Sequence, residues 1–169
     1  LVACASSPSS SLGELPRTPD ASIEQLLEQA ATSKSPDKAA LLRLSAADLA
    51  YRQGNAGRAG QILQQVSLDQ LKPAQQIFAS TLQAELALAR NKPKTALKAL
   101  SHPSLERLSE LPVEQQVRSQ LARANALAAS GQTLPAARER IFIAPLLSGA
   151  TATQNHEAIW TLISSIAHI

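Results

Sequence analysis

Large aromatic side chains are almost missing from this sequence. They make up 2% of the 169 residues and consist of Tyr51, Phe78, Phe142 and Trp160. A fold with so few rings must pack through smaller aliphatic side chains, which favours many thin, similar layers over one bulky core. Binding to single-stranded nucleic acid also needs aromatic stacking platforms, and the net charge of +3 is too small to indicate a phosphate-binding surface. Nucleic acid is therefore not an expected partner.

Cysteine, long apolar runs and catalytic motifs are also scarce or missing. The single cysteine, Cys4, excludes an intrachain disulfide, and no apolar run approaches the ~18 residues of a membrane-spanning helix. His102, His156 and His168 lack the spacing of metal ligands, and no nucleophile elbow, phosphate-binding glycine loop or HExxH motif occurs. We therefore expect no enzyme activity, no cofactor, no metal and no small-molecule substrate. A carboxylate pair brought together by folding, as in a glycan-cleaving enzyme, is the remaining enzymatic alternative.

What the sequence has in abundance is alanine and leucine, both strong helix formers. Apolar residues recur with helical spacing from Ile23 onward. The first helix is predicted to start at Thr18-Pro19-Asp20, or one turn later with a capping box of Ser22 and Gln25. Ser35-Pro36 predicts the next start. Further helices are predicted over residues 59–66, 74–90 and 113–130, around residues 96–100 and 136–143, and from His156 onward.

Three of the predicted turns share one pattern. Gly54, Asn91 and Gly131 follow each other at intervals of 37 and 40 residues, and each is followed five residues later by an alanine: Ala59, Ala96 and Ala136. Glycine and asparagine tolerate the left-handed backbone of a tight turn, and alanine permits two helices to cross closely. This spacing resembles the tetratricopeptide repeat. The prediction is an all-α domain over residues 18–169, with tetratricopeptide-like hairpins stacked into a short curved solenoid. An ordinary alanine-rich helical bundle is the alternative.

The first four residues, Leu1-Val2-Ala3-Cys4, match a lipobox, the end of a lipoprotein signal peptide. In such a motif the cysteine becomes acylated, so Cys4 is the predicted lipidation site. Residues 5–17 are rich in serine and contain proline, which predicts a flexible tether. Ala5 and Ser6 include no aspartate to retain the protein at the inner membrane. We therefore expect anchoring at the periplasmic face of the outer membrane of a Gram-negative cell.

Two further features have a structural and a functional interpretation. The densest basic stretch consists of Arg90, Lys92, Lys94 and Lys98. It is interpreted as a solvated helix end, and it is also the candidate partner-binding rim. Trp160 stands among apolar neighbours, which predicts a core position, with an exposed binding residue as the alternative.

Together, the lipobox, the tether and the irregular repeats resemble the amino-terminal half of the LpoA (LppC) family. The closest local similarities are the segment 155–165, an asparagine turn leading into a helix with Trp160, and Pro145-Leu146-Leu147. The resemblance implies an outer-membrane lipoprotein that reaches through peptidoglycan and activates a class A penicillin-binding protein, a peptidoglycan synthase. It also implies a second, solute-binding-like domain after residue 169, to which much of the synthase contact is attributed. A scaffold lipoprotein of another outer-membrane assembly pathway is the alternative function.

Overall fold

The part of the chain that the structure describes folds into eight α-helices connected by short turns. A computed structural model describes residues 12–17 and 20–167, and these residues contain no strand. Among these residues, 3-10 segments join some of the helices, at Leu68–Gln70, Pro103–Glu110 and Ala144–Leu146. The α-helices are α1 (Ile23–Thr32), α2 (Pro36–Arg52), α3 (Ala56–Leu63), α4 (Pro73–Ala89), α5 (Pro93–Ala99), α6 (Val113–Ala129), α7 (Thr133–Ile143) and α8 (Gly149–Ala167). The all-α prediction is confirmed.

The helices are arranged as hairpins in a row. Long and short helices pair as α2 with α3, α4 with α5 and α6 with α7, and α4 also contacts α2, α3 and α6. Helix α1 packs on α2, and α8 packs on α7. The largest core cluster of the described residues is formed by α1, α2, α3 and α4 and includes Leu44 and Leu82, both 0% exposed. Each hairpin thus covers the apolar side of the next, which is the predicted tetratricopeptide-like stack.

The predicted turns are confirmed in backbone and in packing. Gly54, Asn91 and Gly131 have φ angles of 84°, 56° and 81°, so each turn uses a left-handed residue. The three alanines that follow are all 0% exposed. In each hairpin a small side chain therefore lies where the second helix crosses the first, and a larger side chain would push the helices apart.

The first helix begins at the later of the two predicted positions. Ser22 Oγ accepts a hydrogen bond from Gln25 N at 3.2 Å, and Gln25 Oε1 accepts one from Ser22 N at 2.9 Å. This capping box places the start at Ile23, whereas Asp20 is not helical. Two backbone donors are satisfied reciprocally at Ser22, so the start at Thr18-Pro19-Asp20 is wrong.

The amino-terminal boundary of the domain also differs from the prediction. Leu12 is 1% exposed and packs with Ala74, Ile77 and Leu111, and its carbonyl accepts a hydrogen bond from Ala74 N at 2.8 Å. Residues 12–17 therefore do not all belong to a free tether, because Leu12 supplies a core contact of its own. Cys4, the lipobox and residues 5–11 of the predicted tether lie outside the described residues.

The carboxyl-terminal helix requires two corrections. Helix α8 begins at Gly149, seven residues before the predicted His156, and Trp160 is 61% exposed instead of buried. Helix α8 packs on α7 and on the 3-10 turn beside it, so within the described residues no helix covers its other face. Apolar spacing predicts which side of a helix is apolar but not whether a neighbour covers that side.

Candidate functional site

Two polar surfaces lie on opposite sides of the central helix α4. One side carries Glu85, and the other carries Ser80, Gln83 and Arg90. Residues three, four or seven positions apart share a side of a helix, so Ser80, Gln83 and Arg90 fall together and Glu85 falls away from them. We call the Glu85 side the ion-cluster face and the opposite side the basic groove.

The ion-cluster face joins three helices through one arginine. Arg118 Nη2 of α6 lies 2.6 Å from Asp48 Oδ1 of α2 and 2.8 Å from Glu85 Oε1 of α4. Arg118 Nε donates to Glu85 Oε1 at 3.1 Å, and Arg52 Nε contacts Asp48 Oδ2 at 3.0 Å. The side chains of Arg118, Asp48 and Glu85 are 19%, 13% and 16% exposed. Because ion pairs gain strength when water is partly excluded, this cluster holds the stacked hairpins in one arrangement.

Burial and pairing act in opposite directions on this cluster. Burial raises the pKa of Glu85 above its ordinary value, and the guanidinium of Arg118 only partly offsets that effect. For Arg118, burial lowers the pKa, but hydrogen bonds to Asp48 and Glu85 outweigh it, so the pKa is raised and the arginine stays charged. Arg118 is shared between two carboxylates, and Asp48 also contacts Arg52, whereas Glu85 has no second ion pair with the described residues. Glu85 therefore receives only part of the stabilisation of one cation.

The space beside the ion cluster is neutral in charge. A cavity of about 600 Å³ is lined by Tyr51, Glu85, Arg118 and Asn125, together with apolar side chains of α4 and α6. The guanidinium of Arg118 also lies 5.2 Å from the centre of the Phe78 ring. Its cation is thus already engaged by two carboxylates and a ring. Among the described residues, the charges of this ion cluster are therefore paired and do not attract a charged ligand. Its contacts hold neighbouring hairpins together.

The basic groove runs along α4, with α3 and the 3-10 turn Leu68–Gln70 on one side and α5 on the other. A cavity of about 450 Å³ at one end is lined by Gly60, Arg90 and Lys92, among other residues. A second cavity of about 580 Å³ is lined by Asp69, Ser80 and Lys98, among other residues. Gln83 and Thr95 line both, so the two cavities are adjacent along α4.

Of the four cations of the predicted basic rim, three line the groove and one does not. Arg90, Lys92, Lys94 and Lys98 are all exposed, and three of them line the groove while Lys94 does not. None of the four takes part in an ion pair with the described residues. Asp69 is the one acid among the described lining residues. The groove therefore carries an excess of positive charge.

The remaining candidates form no common site. His102 Nδ1 lies 2.7 Å from Ser104 Oγ at the start of a 3-10 turn, and His156 is exposed. His168 lies outside the described residues, as does Cys4. No group of three or more potential metal ligands occurs in residues 12–17 and 20–167. In the same part of the chain, no helix has both the length and the hydropathy that a membrane span requires.

Reasoning from sequence missed the ion cluster, although the repeat register contains a signal for it. Asp48 and Glu85 each stand six residues before the turn residue of their hairpin, at Gly54 and Asn91. Equivalent positions of stacked repeats lie on the same face of the solenoid, so these two acids are expected to be neighbours. Two buried acids at one repeat position require a cation between them, and Arg118 supplies it.

Comparison with known proteins is consistent with the predicted resemblance. The family model described as LppC putative lipoprotein matches residues 16–168. The E. coli LpoA amino-terminal domain superposes with a TM-score of 0.65 at 26% identity, covering 88% of this chain and 64% of that one. The Haemophilus influenzae LpoA amino-terminal domain superposes with a TM-score of 0.61 at 18% identity, covering 93% and 67%.

A larger relative shows how much of a full-length protein this chain spans. Haemophilus influenzae LpoA superposes with a TM-score of 0.63 at 18% identity over 93% of this chain, but over only 28% of its own length. A comparison of the sequence with curated proteins gives no match. At such identities the two Haemophilus structures establish a shared helical fold.

Proposed function

Because this chain belongs to the LppC putative lipoprotein family, we propose that it is part of an outer-membrane lipoprotein that regulates peptidoglycan synthesis. The proposed action is direct binding to a class A penicillin-binding protein, whose activity rises as a result. The observation that carries the proposal is the family match over residues 16–168, together with the superposition on the E. coli LpoA amino-terminal domain. The role is that of a binding partner and not of an enzyme.

The ion-cluster face supports a mechanical role for the domain. Arg118 ties α2, α4 and α6 together, so the hairpins are braced against bending at that face. A braced stack can present its binding surface, and whatever is attached to it, at a constant orientation. Activation then requires that the protein binds the active conformation of the synthase more tightly than the inactive one, because a ligand shifts an equilibrium only by its differential affinity.

The proposed lipid anchor at Cys4 would hold the domain close to the membrane. Leu12 is fixed against α4, so the chain from the acylated cysteine to the folded domain is at most eight Cα–Cα steps long, across the seven residues 5–11. A fully extended chain of that length spans roughly 26–29 Å. The distance to an enzyme in the inner membrane must therefore be covered mainly by folded protein, which is the role that we propose for the stacked hairpins.

Within this proposal, the basic rim of Arg90, Lys92, Lys94 and Lys98 is the candidate contact surface. Exposed cations of this kind mainly change the association rate and the salt dependence of binding. Rim-to-glutamine variants of the full-length protein should therefore associate with the synthase more slowly, and the difference should shrink at high salt.

The deciding experiment measures glycan polymerisation and cross-linking by a class A penicillin-binding protein. The synthase is assayed alone, with the present chain, and with the full-length lipoprotein from the same organism. Stimulation by the full-length protein supports the proposal, and stimulation by the present chain would locate activity in this domain. If the full-length protein stimulates none of the class A synthases of its organism, the activator proposal is wrong and the scaffold function takes its place.

A further inference from the structure

The basic groove has the shape of a channel for an extended chain. Helices α3 and α5 and the 3-10 turn Leu68–Gln70 all contact α4. The first cavity lies between α3 and α5, the second lies between the turn and α5, and the two adjoin at Gln83 and Thr95. Their volumes, about 450 and 580 Å³, fall within the range of ordinary ligand sites. An elongated, open groove of this size accommodates several residues of a strand or polyproline-like segment more readily than a compact small molecule.

Positive charge is placed at both ends of this channel. Arg90 and Lys92 line the first cavity and Lys98 lines the second. A Cβ atom at Gly60 would lie 3.3 Å from Arg90 Nη2. Because residue 60 is glycine, the guanidinium of Arg90 has room beside α3. Lys92 precedes α5 and Lys98 lies in its last turn, six positions later, which is roughly 9 Å of rise along the helix axis. This axial rise is close to the advance of three residues in a polyproline-like segment, at about 3.1 Å per residue.

A buried hydroxyl in the groove wall has no partner. Ser80 lines the second cavity and is 1% exposed, and its Oγ makes no hydrogen bond with the described residues. The neighbouring Thr81 Oγ1, in contrast, donates to Ile77 O at 2.8 Å and lies 2.8 Å from Ser119 Oγ. Gln120 Oε1 and Ser130 Oγ are also buried without a partner among the described residues, but only Ser80 lines the groove. A polar ligand would reach the Ser80 hydroxyl after rotation of that side chain about χ1 and would then satisfy it.

We propose that the basic groove binds an extended acidic segment of a partner protein. Carboxylates of the segment would pair with Arg90, Lys92 and Lys98, and its backbone would form hydrogen bonds with Gln83, Thr95 and Ser80. Among the described lining residues His102 is the one ring, and no phenylalanine, tyrosine or tryptophan lines the groove, so base stacking does not favour a nucleic acid. The ion-cluster face is not a rival site, because its cation is already paired with Asp48 and Glu85.

The inference rests on the proposed function only in taking the ligand to be part of a protein partner. Its test uses the full chain and a fluorescein-labelled peptide of three Glu-Pro-Pro repeats, with fluorescence anisotropy at low and moderate salt. The matched peptide has glutamine in place of each glutamate. We expect saturable binding of the acidic peptide and none of the neutral one. If both peptides bind equally, the charge-recognition argument is overturned.

Three variants separate the groove from general surface charge. Arg90→Gln with Lys98→Gln should weaken binding about fivefold, as expected for the loss of two partly desolvated ion pairs. The matched control, Lys38→Gln with Arg138→Gln, removes the same charge from exposed positions elsewhere and should change the affinity less than twofold. Thr95→Trp should block the point where the cavities meet without changing any charge.

Ser80→Ala provides an independent check of the unpartnered hydroxyl. Peptide binding should weaken about twofold to threefold while thermal stability is unchanged or slightly increased, because the folded protein loses an unsatisfied group. Circular dichroism of each variant establishes that it is folded. Equal losses in the double variant and its control, or unchanged binding in Thr95→Trp, would refute the groove. The assay contains no synthase, so that outcome leaves the activator proposal intact, and failure of synthase activation leaves the groove intact.

Discussion

Replacing Arg118 with methionine should remove the cation that Asp48 and Glu85 share. Methionine keeps much of the apolar stem, so the main change is that Glu85, at 16% exposure, loses its ion-pair partner, while Asp48, at 13% exposure, keeps only Arg52. Breaking a buried ion pair by removing one partner costs about 3–5 kcal/mol. Because these side chains retain some contact with water, we expect a loss of about 2–4 kcal/mol in the free energy of unfolding. Loss of the Phe78 contact adds about 0.5–1 kcal/mol.

The penalty should depend on pH in a defined direction. Burial already raises the pKa of Glu85, and without Arg118 both burial and the charge of Asp48 would raise it further. A carboxyl group whose pKa is higher in the folded than in the unfolded protein destabilises the fold when ionised. The penalty is therefore complete above the folded-state pKa and decreases as the pH falls through that pKa. The difference between wild type and variant should be smaller near pH 4.5 than near pH 7.5.

Urea unfolding followed by far-UV circular dichroism at both pH values measures this difference. The matched control is Arg123→Met, on the same helix, because Arg123 pairs with Glu139 at 3.3 Å with side chains 46% and 27% exposed. That exposed pair should be worth about 0–1 kcal/mol. Adding Glu85→Gln to the Arg118 variant should recover part of the loss, since one buried charge disappears. Equal losses in the two arginine variants, or a pH-independent loss, would refute the shared-cation explanation.

Three further changes test the repeat register, the domain boundary and the anchor. Ala96→Leu should cost about 1–3 kcal/mol in urea unfolding, since Ala96 is 0% exposed, and a neutral effect would contradict the helix crossing. Gly13→Ala should lower the melting temperature more than Gly54→Ala, because both have positive φ but only at Gly13 would a Cβ lie 2.6 Å from Lys72 Cβ. Cys4→Ser in the full-length protein should leave an unacylated precursor, and mass spectrometry that finds no lipid on wild-type Cys4 would contradict the anchor.

Much of the fold could be predicted because its signals are local. A glycine or asparagine at the end of a long helix and an alanine five residues later specify the turn and the crossing together, and all three hairpins follow this rule. The capping box at Ser22 is equally local, since both of its hydrogen bonds join residues three positions apart. The start at Thr18-Pro19-Asp20 used the same kind of signal, but Ala21 stands three residues after Thr18, so the sequence there lacks the second residue of a capping box.

The errors concern features that depend on distant neighbours. Trp160 has apolar flanks, yet helix α8 packs only on α7 and its adjoining turn within the described residues, so the ring is exposed. Leu12 lies in a serine-rich stretch that predicts a tether, but Ala74 and Ile77 supply a place for it. For the same reason the basic stretch around Arg90 could be located by sequence, whereas the groove beside it could not, because its other wall is α3.

The position six residues before each turn explains how a degenerate repeat can still form one rigid body. That position is Asp48, Glu85 and Asn125 in the three hairpins. Asp48 and Glu85 share Arg118, and Asn125 Oδ1 accepts a hydrogen bond from Arg140 Nη2 at 2.9 Å. Arg140 Nη1 in turn donates to Asn155 Oδ1 of α8 at 3.1 Å.

The residue types at this position differ, but each is an acceptor for an arginine from another part of the repeat array. Selection for a polar connection between hairpins would leave the side chain free to change and the acceptor role fixed. This series of contacts lies on the side of α4 opposite the basic groove. A segment bound in the groove would therefore contact hairpins that are already fixed relative to one another. Binding of that segment would then set the orientation of the whole stack relative to the partner protein.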